Sequence, residues 1–150
     1  MKYLHAFLSI VLLLTFISCA GLTGRDSVMY RGYKSDNINT FLRGFEMAVE
    51  SHERDLVLKY LEEDYLDEQL YDNLEGRTDQ FMNELFWGYF YDIEDIKLLI
   101  FPTGFTNDIV NTDTLPFQVT FKDGTEKKIY LYIKKIRKRS REFAIFGAVG

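Results

Sequence analysis

The chain has 150 residues, 47% of them hydrophobic and 27% charged, with a formal net charge of −5. That length suits one domain able to bury a core of its own. A single cysteine excludes an internal disulfide and, beside two histidines, leaves no ligand set for a zinc site built on Cys and His. Charge is unevenly spread, with sixteen acids against Arg54, Lys59 and Arg77 between Glu46 and Asp95. From Phe117 onward nine Lys/Arg face Asp123, Glu126 and Glu142. The division predicts acidic helices packed beside a basic sheet edge, and does not call for a nucleic-acid partner.

Lys2 followed by the apolar run Ala6–Ile17, too short to span a bilayer, reads as a signal peptide over residues 1–18. It ends on Phe16-Ile17-Ser18-Cys19, which resembles the lipobox of bacterial lipoproteins, with Phe16 where Leu is usual. The resemblance implies that Cys19 becomes the acylated N-terminus of an exported chain, anchored to a membrane of a bacterial cell envelope. The other reading makes Cys19 the last small residue of an ordinary secretory signal; a lone cysteine with nothing to pair with favours lipidation. Several acyl groups on one terminus hold a protein durably where one does not. Residues 19–36, with Gly21, Gly24 and Gly32 and no periodicity, read as a lipidated tether, and residues 37–150 as a single domain.

Ser35, Asp36 and Asn37 each suit a helix N-cap, and from Ile38 the spacing of Phe41, Phe45, Ala48 and His52 predicts a helix with a wide apolar stripe. A break at Ser51–Arg54 precedes a second helix, capped by Asp55 and carrying Leu56, Tyr60, Leu61, Leu66, Leu70 and Leu74 to a stop at Gly76. Thr78–Trp87 fits a third. Lys97–Phe101 is a strand candidate ahead of Pro102 and Gly104, and Thr103–Thr114 reads equally as a loop or a short edge strand. Phe117, Val119 and Phe121 then alternate with polar residues, Asp123-Gly124 turns the chain, and strands through Ile129–Ile133 and Phe143–Val149 follow. Three helices and then about four strands, without βαβ alternation, give an α+β class with an antiparallel sheet.

The order of Phe41-Leu-Arg-Gly-Phe-Glu-Met-Ala-Val-Glu, a break, Asp55-Leu-Val-Leu-Lys-Tyr-Leu, a strand, Val119-Thr-Phe-Lys-Asp-Gly, a long strand and a closing Phe-Ala-Ile resembles small secreted proteins of the nuclear-transport-factor-2-like superfamily. The resemblance covers Ile38–Val149 and implies a cone of helices closed by a curved sheet. Many relatives carry Trp in the closing strand where this chain has Phe143.

No phosphate loop, HExxH or GxSxG occurs. His52 is the one catalytic candidate, an acid–base group inside the cone if the family's isomerase, cyclase or dehydratase chemistry applies. The plainer expectation is a helix-end histidine, partly exposed and bonded to backbone or to a neighbouring acid. Glu62, Glu63, Asp64, Asp67 and Glu68 lack the spacing of a calcium loop and read as a solvated acidic helix face. Trp87 and Tyr89 either line a ligand pocket or plug the wide end of the core. Tyr130 and Tyr132 alternate with Ile129, Leu131 and Ile133, so both faces of that strand need cover, and the tyrosine face is the first place to look for a ligand, a protein partner or a second copy. Lys134–Arg141 holds six basic residues in eight and suits a solubilising tip or anionic headgroups. The expectation is therefore a non-enzymatic envelope lipoprotein, without cofactor or metal, that binds a small ligand or a partner; the alternative is an enzyme using His52.

Overall fold

A computed structural model of the chain describes residues 23–62, 93–108, 114–138 and 141–149. The expected signal peptide, Cys19, the helical repeat Leu66–Leu74, the helix Thr78–Trp87 and Tyr89 lie outside the described residues. No helix among the described residues is long and apolar enough to cross a membrane. The architecture is α+β: α1 (Thr23–Arg31), a 3₁₀ turn (Gly32–Lys34), α2 (Ile38–Glu50), α3 (Arg54–Leu58) and a second 3₁₀ turn (Ile93–Asp95). Four strands follow, β1 (Ile96–Ile100), β2 (Thr114–Phe121), β3 (Glu126–Lys138) and β4 (Arg141–Val149), in one antiparallel meander ordered β1-β2-β3-β4.

The sheet takes its hydrophobic side from period-2 alternation. Leu115, Phe117, Val119 and Phe121 of β2 and Ile129, Leu131 and Ile133 of β3 are all buried. Register sets Phe117 opposite Ile129 and Leu115 opposite Leu131. Gly124 turns the chain at φ +87, with the Thr125 amide donating to the Asp123 carboxylate at 2.8 Å and holding that carboxyl below its usual range. The sheet is curved, and register shifts between Tyr132 and Ile133 and between Lys135 and Lys138 mark bulges that bend a strand.

Of the three candidate N-caps, Asn37 opens α2: its side chain accepts from the Thr40 amide at 3.1 Å, while Asn107 from the distant loop accepts from the Ile38 amide at 2.9 Å. Asn39 adds a two-way pairing with the Phe105 backbone, giving to its carbonyl at 2.8 Å and taking from its amide at 3.2 Å. These asparagines settle the ambiguous stretch after Thr103 as irregular chain laid on the start of α2, at least to Asp108; β2 begins at Thr114. Phe41, Leu42, Phe45, Ala48 and Val49 face the core as the spacing predicts. α3 starts one residue before the expected cap, with Glu53 at the N-cap and Asp55 in its first turn, and it ends at Leu58, so Tyr60 and Leu61, expected on its apolar face, instead lie in chain beside β4.

The tether expected over residues 19–36 is helical from Thr23 to Lys34, with Met29 and Gly32 buried against α2. Val28, Met29 and Tyr30 are adjacent rather than three or four apart, so the sequence carries no helical stripe to announce α1. Tertiary contact supplies what periodicity does not. A Cβ on Gly44 would overlap the Tyr60 hydroxyl and lie 2.8 Å from the Val28 carbonyl oxygen; one on Gly32 would lie 2.6 Å from the same hydroxyl. Tyr60 itself is fully buried, ringed by Tyr33, Phe41 and Phe45 at centroid distances of 5.9, 5.2 and 5.7 Å, and donates to the Met29 carbonyl at 2.9 Å.

Each rim of the sheet is met by side chains or by chain. On β1 the Leu99 amide donates to Glu50 Oε1 at 3.0 Å and the Phe101 amide to Glu46 Oε1 at 2.8 Å, while Arg43 holds the other oxygen of the buried Glu46. Two carboxylates one helical turn apart thus stand where a fifth strand's carbonyls would be. On β4 the Ile145 amide donates to the Tyr60 carbonyl at 2.9 Å, and the Glu62 amide donates to the Ile145 carbonyl at 2.8 Å.

Glycine to alanine in a helix interior ordinarily stabilises by up to about 1 kcal/mol. Here Gly44→Ala is expected to destabilise by about 2 kcal/mol or more, because backbone as well as the Tyr60 hydroxyl must move; urea denaturation reads the sign directly. Burial pushes the Tyr60 phenol upward. Its contribution is fully present below the unfolded tyrosine value of about 10 and is lost as pH rises beyond it, because only the unfolded state ionises readily. Denaturation midpoints should fall above about pH 10, and less steeply in Tyr60→Phe, which starts about 1 kcal/mol weaker for its lost hydrogen bond.

Candidate functional site

Alternation sends a second set of side chains to the side of the sheet away from α2. Leu98 and Ile100 on β1 are 40% and 48% exposed, the largest exposures of any strand hydrophobic among the described residues. Register aligns Leu98 with Thr120, Ile100 with Gln118, Gln118 with Lys128, Pro116 with Tyr130 and Thr114 with Tyr132. This outer face therefore carries an apolar band from Ile100 through Pro116 to the half-buried Tyr130 and Tyr132. The bulge at Tyr132/Ile133 leaves Phe146 extra in β4, and its ring lies 5.8 Å from that of Tyr132. Lysines stand on the band's rings: Lys128 Nζ 5.5 Å from the Tyr130 centroid and Lys134 Nζ 5.6 Å from that of Phe146.

A groove opens where the strands are staggered. β1 ends at Ile100, opposite Gln118, while β2 begins four residues earlier at Thr114; Pro116, without an N–H to give, falls beyond the end of β1. The resulting hollow of about 590 Å³ is lined by Ile100, Pro102, Pro116, Gln118, Glu126 and Lys128, among others, and Gln118 Nε2 donates to Glu126 Oε2 at 2.8 Å. An apolar floor with a few polar groups at one end can hold an organic ligand by contact and orient it by hydrogen bonds.

His52 is not on the helical stripe where the sequence spacing put it. α2 stops at Glu50, and His52 follows the Ser51 C-cap in the left-handed region at φ 58. The Glu53 amide donates to the Ala48 carbonyl at 3.1 Å and the His52 amide to the Val49 carbonyl at 3.0 Å, the paired bonds of a Schellman stop with histidine in glycine's usual place. Its half-buried ring bridges to the sheet, Nε2 lying 3.1 Å from the Ile96 carbonyl oxygen and Nδ1 3.6 Å from Glu94. This is the helix-end histidine of the plainer expectation, a link between α2 and β1.

The acidic and basic runs meet each other. Glu62, expected on a solvated face, is buried and paired with Lys134 at 3.1 Å, because the chain from Tyr60 to Glu62 lies along β4. Lys135 pairs with Glu142 at 2.8 Å and Arg141 donates to the Leu61 carbonyl at 2.8 Å. Lys134, Lys135 and Arg141 thus have partners among the described residues, but the acids that the lysines meet stand on the chain beside β4 and on β4 itself, rather than on the acidic helices that the sequence predicts. Among the described residues no group of three or more His, Cys, Asp or Glu is placed to hold a metal ion. Comparison of the chain with protein families, with curated proteins and with solved structures finds no match.

The sequence marked Tyr130 and Tyr132 and missed Leu98, Ile100 and Pro116. Their signal was present in Lys97-Leu98-Leu99-Ile100, where one of two alternating sets must leave the core. For His52, both Ala and Gly remove the ring, but only Gly removes the cost of a left-handed side chain. His52→Ala is expected to be less stable than His52→Gly by about 1 kcal/mol, read from chemical denaturation midpoints.

Proposed function

We propose that this chain is an exported lipoprotein of a bacterial cell envelope, held at a membrane through Cys19, and that it acts as a binding module without catalysing a reaction. The lipobox-like Phe16-Ile17-Ser18-Cys19 behind an apolar run supports the anchor. The observation that carries the binding half is the outer sheet face, where Leu98 and Ile100 stay exposed beside Pro116, Tyr130 and Tyr132. A contiguous apolar surface on a sheet marks a place where something else is buried. The groove's volume falls in the range that small ligands fill, and the tyrosine-rich band beside it offers the same face to a protein chain.

In the nuclear-transport-factor-2-like reading of the fold, the side covered by α2 is the interior of the cone. Its described part is packed with Phe41, Phe45, Phe101, Phe117 and Phe143, which favours the outer face as the binding surface. The bridging position of His52 between Ile96 and Glu94 likewise favours binding over acid–base catalysis.

Two measurements test the proposal. The mature protein's mass should carry acyl groups on an N-terminal Cys19; an unmodified terminus elsewhere sinks the anchor. A photo-crosslinking residue at Ile100 should form a discrete adduct in intact cells where the same residue at the exposed Asp55 forms none, and equal labelling at both positions overturns the binding face. With the crosslinker at position 100, Leu98→Lys should abolish the adduct while changing stability by less than about 0.5 kcal/mol, since its side chain is not in the core.

A further inference from the structure

We propose that the domain lies on the bilayer through the side formed by α1 and the following 3₁₀ turn, with Tyr30, Arg31 and Lys34 against anionic headgroups. The outer sheet face then points away from the membrane. The inference rests on lipidation at Cys19 and deepens that reading by fixing an orientation.

The first ground is reach. Four Cα steps separate Cys19 from Thr23, the start of α1, and fully extended they span at most about 14 Å. That is little more than the diameter of one helix with its side chains, about 10–12 Å. α1 cannot swing out to lengthen the leash: Met29 is buried, its carbonyl holds the Tyr60 hydroxyl, and Gly32 lies against Gly44. The acyl groups would therefore hold the body of the domain, and not a flexible arm, at the headgroups.

The second ground is the chemistry displayed there. Tyr30, 49% exposed, is the most exposed large hydrophobic side chain among the described residues, and Arg31 and Lys34 next to it are exposed too. Neither cation has an acidic partner among the described residues; the Lys34 ammonium lies 5.4 Å from the Tyr33 ring centroid. Tyrosine settles at the level of the headgroups, and each nearby Lys or Arg strengthens attraction to an anionic leaflet.

The third ground is layering. α1 packs on α2 and α2 on the core side of the sheet, so the band from Leu98 to Tyr132 is on the far side of the molecule from α1. A membrane under α1 leaves that band open to a partner.

The test uses the full lipidated chain in vesicles of phosphatidylcholine with or without phosphatidylglycerol. An environment-sensitive dye is placed on Ser27→Cys or on Leu98→Cys, both exposed positions, and nitroxide-labelled headgroups act as quencher. The Ser27 probe should be quenched several-fold more than the Leu98 probe in anionic vesicles, and Arg31→Glu with Lys34→Glu, or high salt, should reduce the difference about fivefold or more. Equal quenching, stronger quenching at Leu98 or none at either site overturns the orientation. Gly24→Cys, where added atoms meet open space, replaces Ser27→Cys if that variant does not fold. Intact mass of the same sample separates the two readings: an unacylated Cys19 removes the anchor and the orientation with it, whereas an acylated chain with an unquenched Ser27 probe removes the orientation alone.

Discussion

A single phenol sets the arrangement of the helical side. Burying the Tyr60 ring completely is favourable only if its hydroxyl keeps a partner, and the partner is the Met29 carbonyl on α1. For that bond to form, α1 and the 3₁₀ turn must approach α2 closely, and two glycines, Gly32 and Gly44, give the room. The same residue's backbone carbonyl takes the Ile145 amide on β4. One side chain and its peptide thus join α1, α2, the chain after α3, and the sheet.

The outer face is the remainder of that arrangement. Helices and the Tyr60–Glu62 chain are committed to the core side and to the β4 rim, and the Glu46 and Glu50 carboxylates to the β1 rim. Among the described residues this leaves one large surface where apolar groups stand in alternation with the core, and the stagger between β1 and β2 hollows it at Ile100 and Pro116. The make-up of this face depends on register: a one-residue slip of β1 would exchange Leu98 and Ile100 with Leu99.

What the sequence made legible follows from the range of the interactions involved. The α+β class, the start of α2 at Ile38, the turn at Asp123-Gly124 and the buried alternation of β2 and β3 all depend on neighbours within a few residues. α1 was not legible, because TGRDSVMYR is helical only by docking on Gly44 and Tyr60. The stripe that carried His52 into a helix failed for a local reason: the Schellman bonds end α2 two residues earlier, and periodicity alone does not see a stop that lacks glycine. Glu46 and Glu50 are legible in the sequence only as members of an acidic stretch. Their task of receiving β1 amides spans about fifty positions of chain, beyond any spacing rule.

The partly occupied rims bear on how such a fold behaves when crowded. At high local concentration identical domains meet edge to edge more often, and an open strand edge is a template on which such encounters grow into cross-β assemblies. The glutamates hold the Leu99 amide of β1 and the Phe101 amide just beyond it, and Tyr60 and Glu62 engage Ile145 of β4, so at these points the backbone is already paired. The fold thus presents side chains across its broad face and occupied backbone groups at these points of its rims, which disfavours growth by strand addition there.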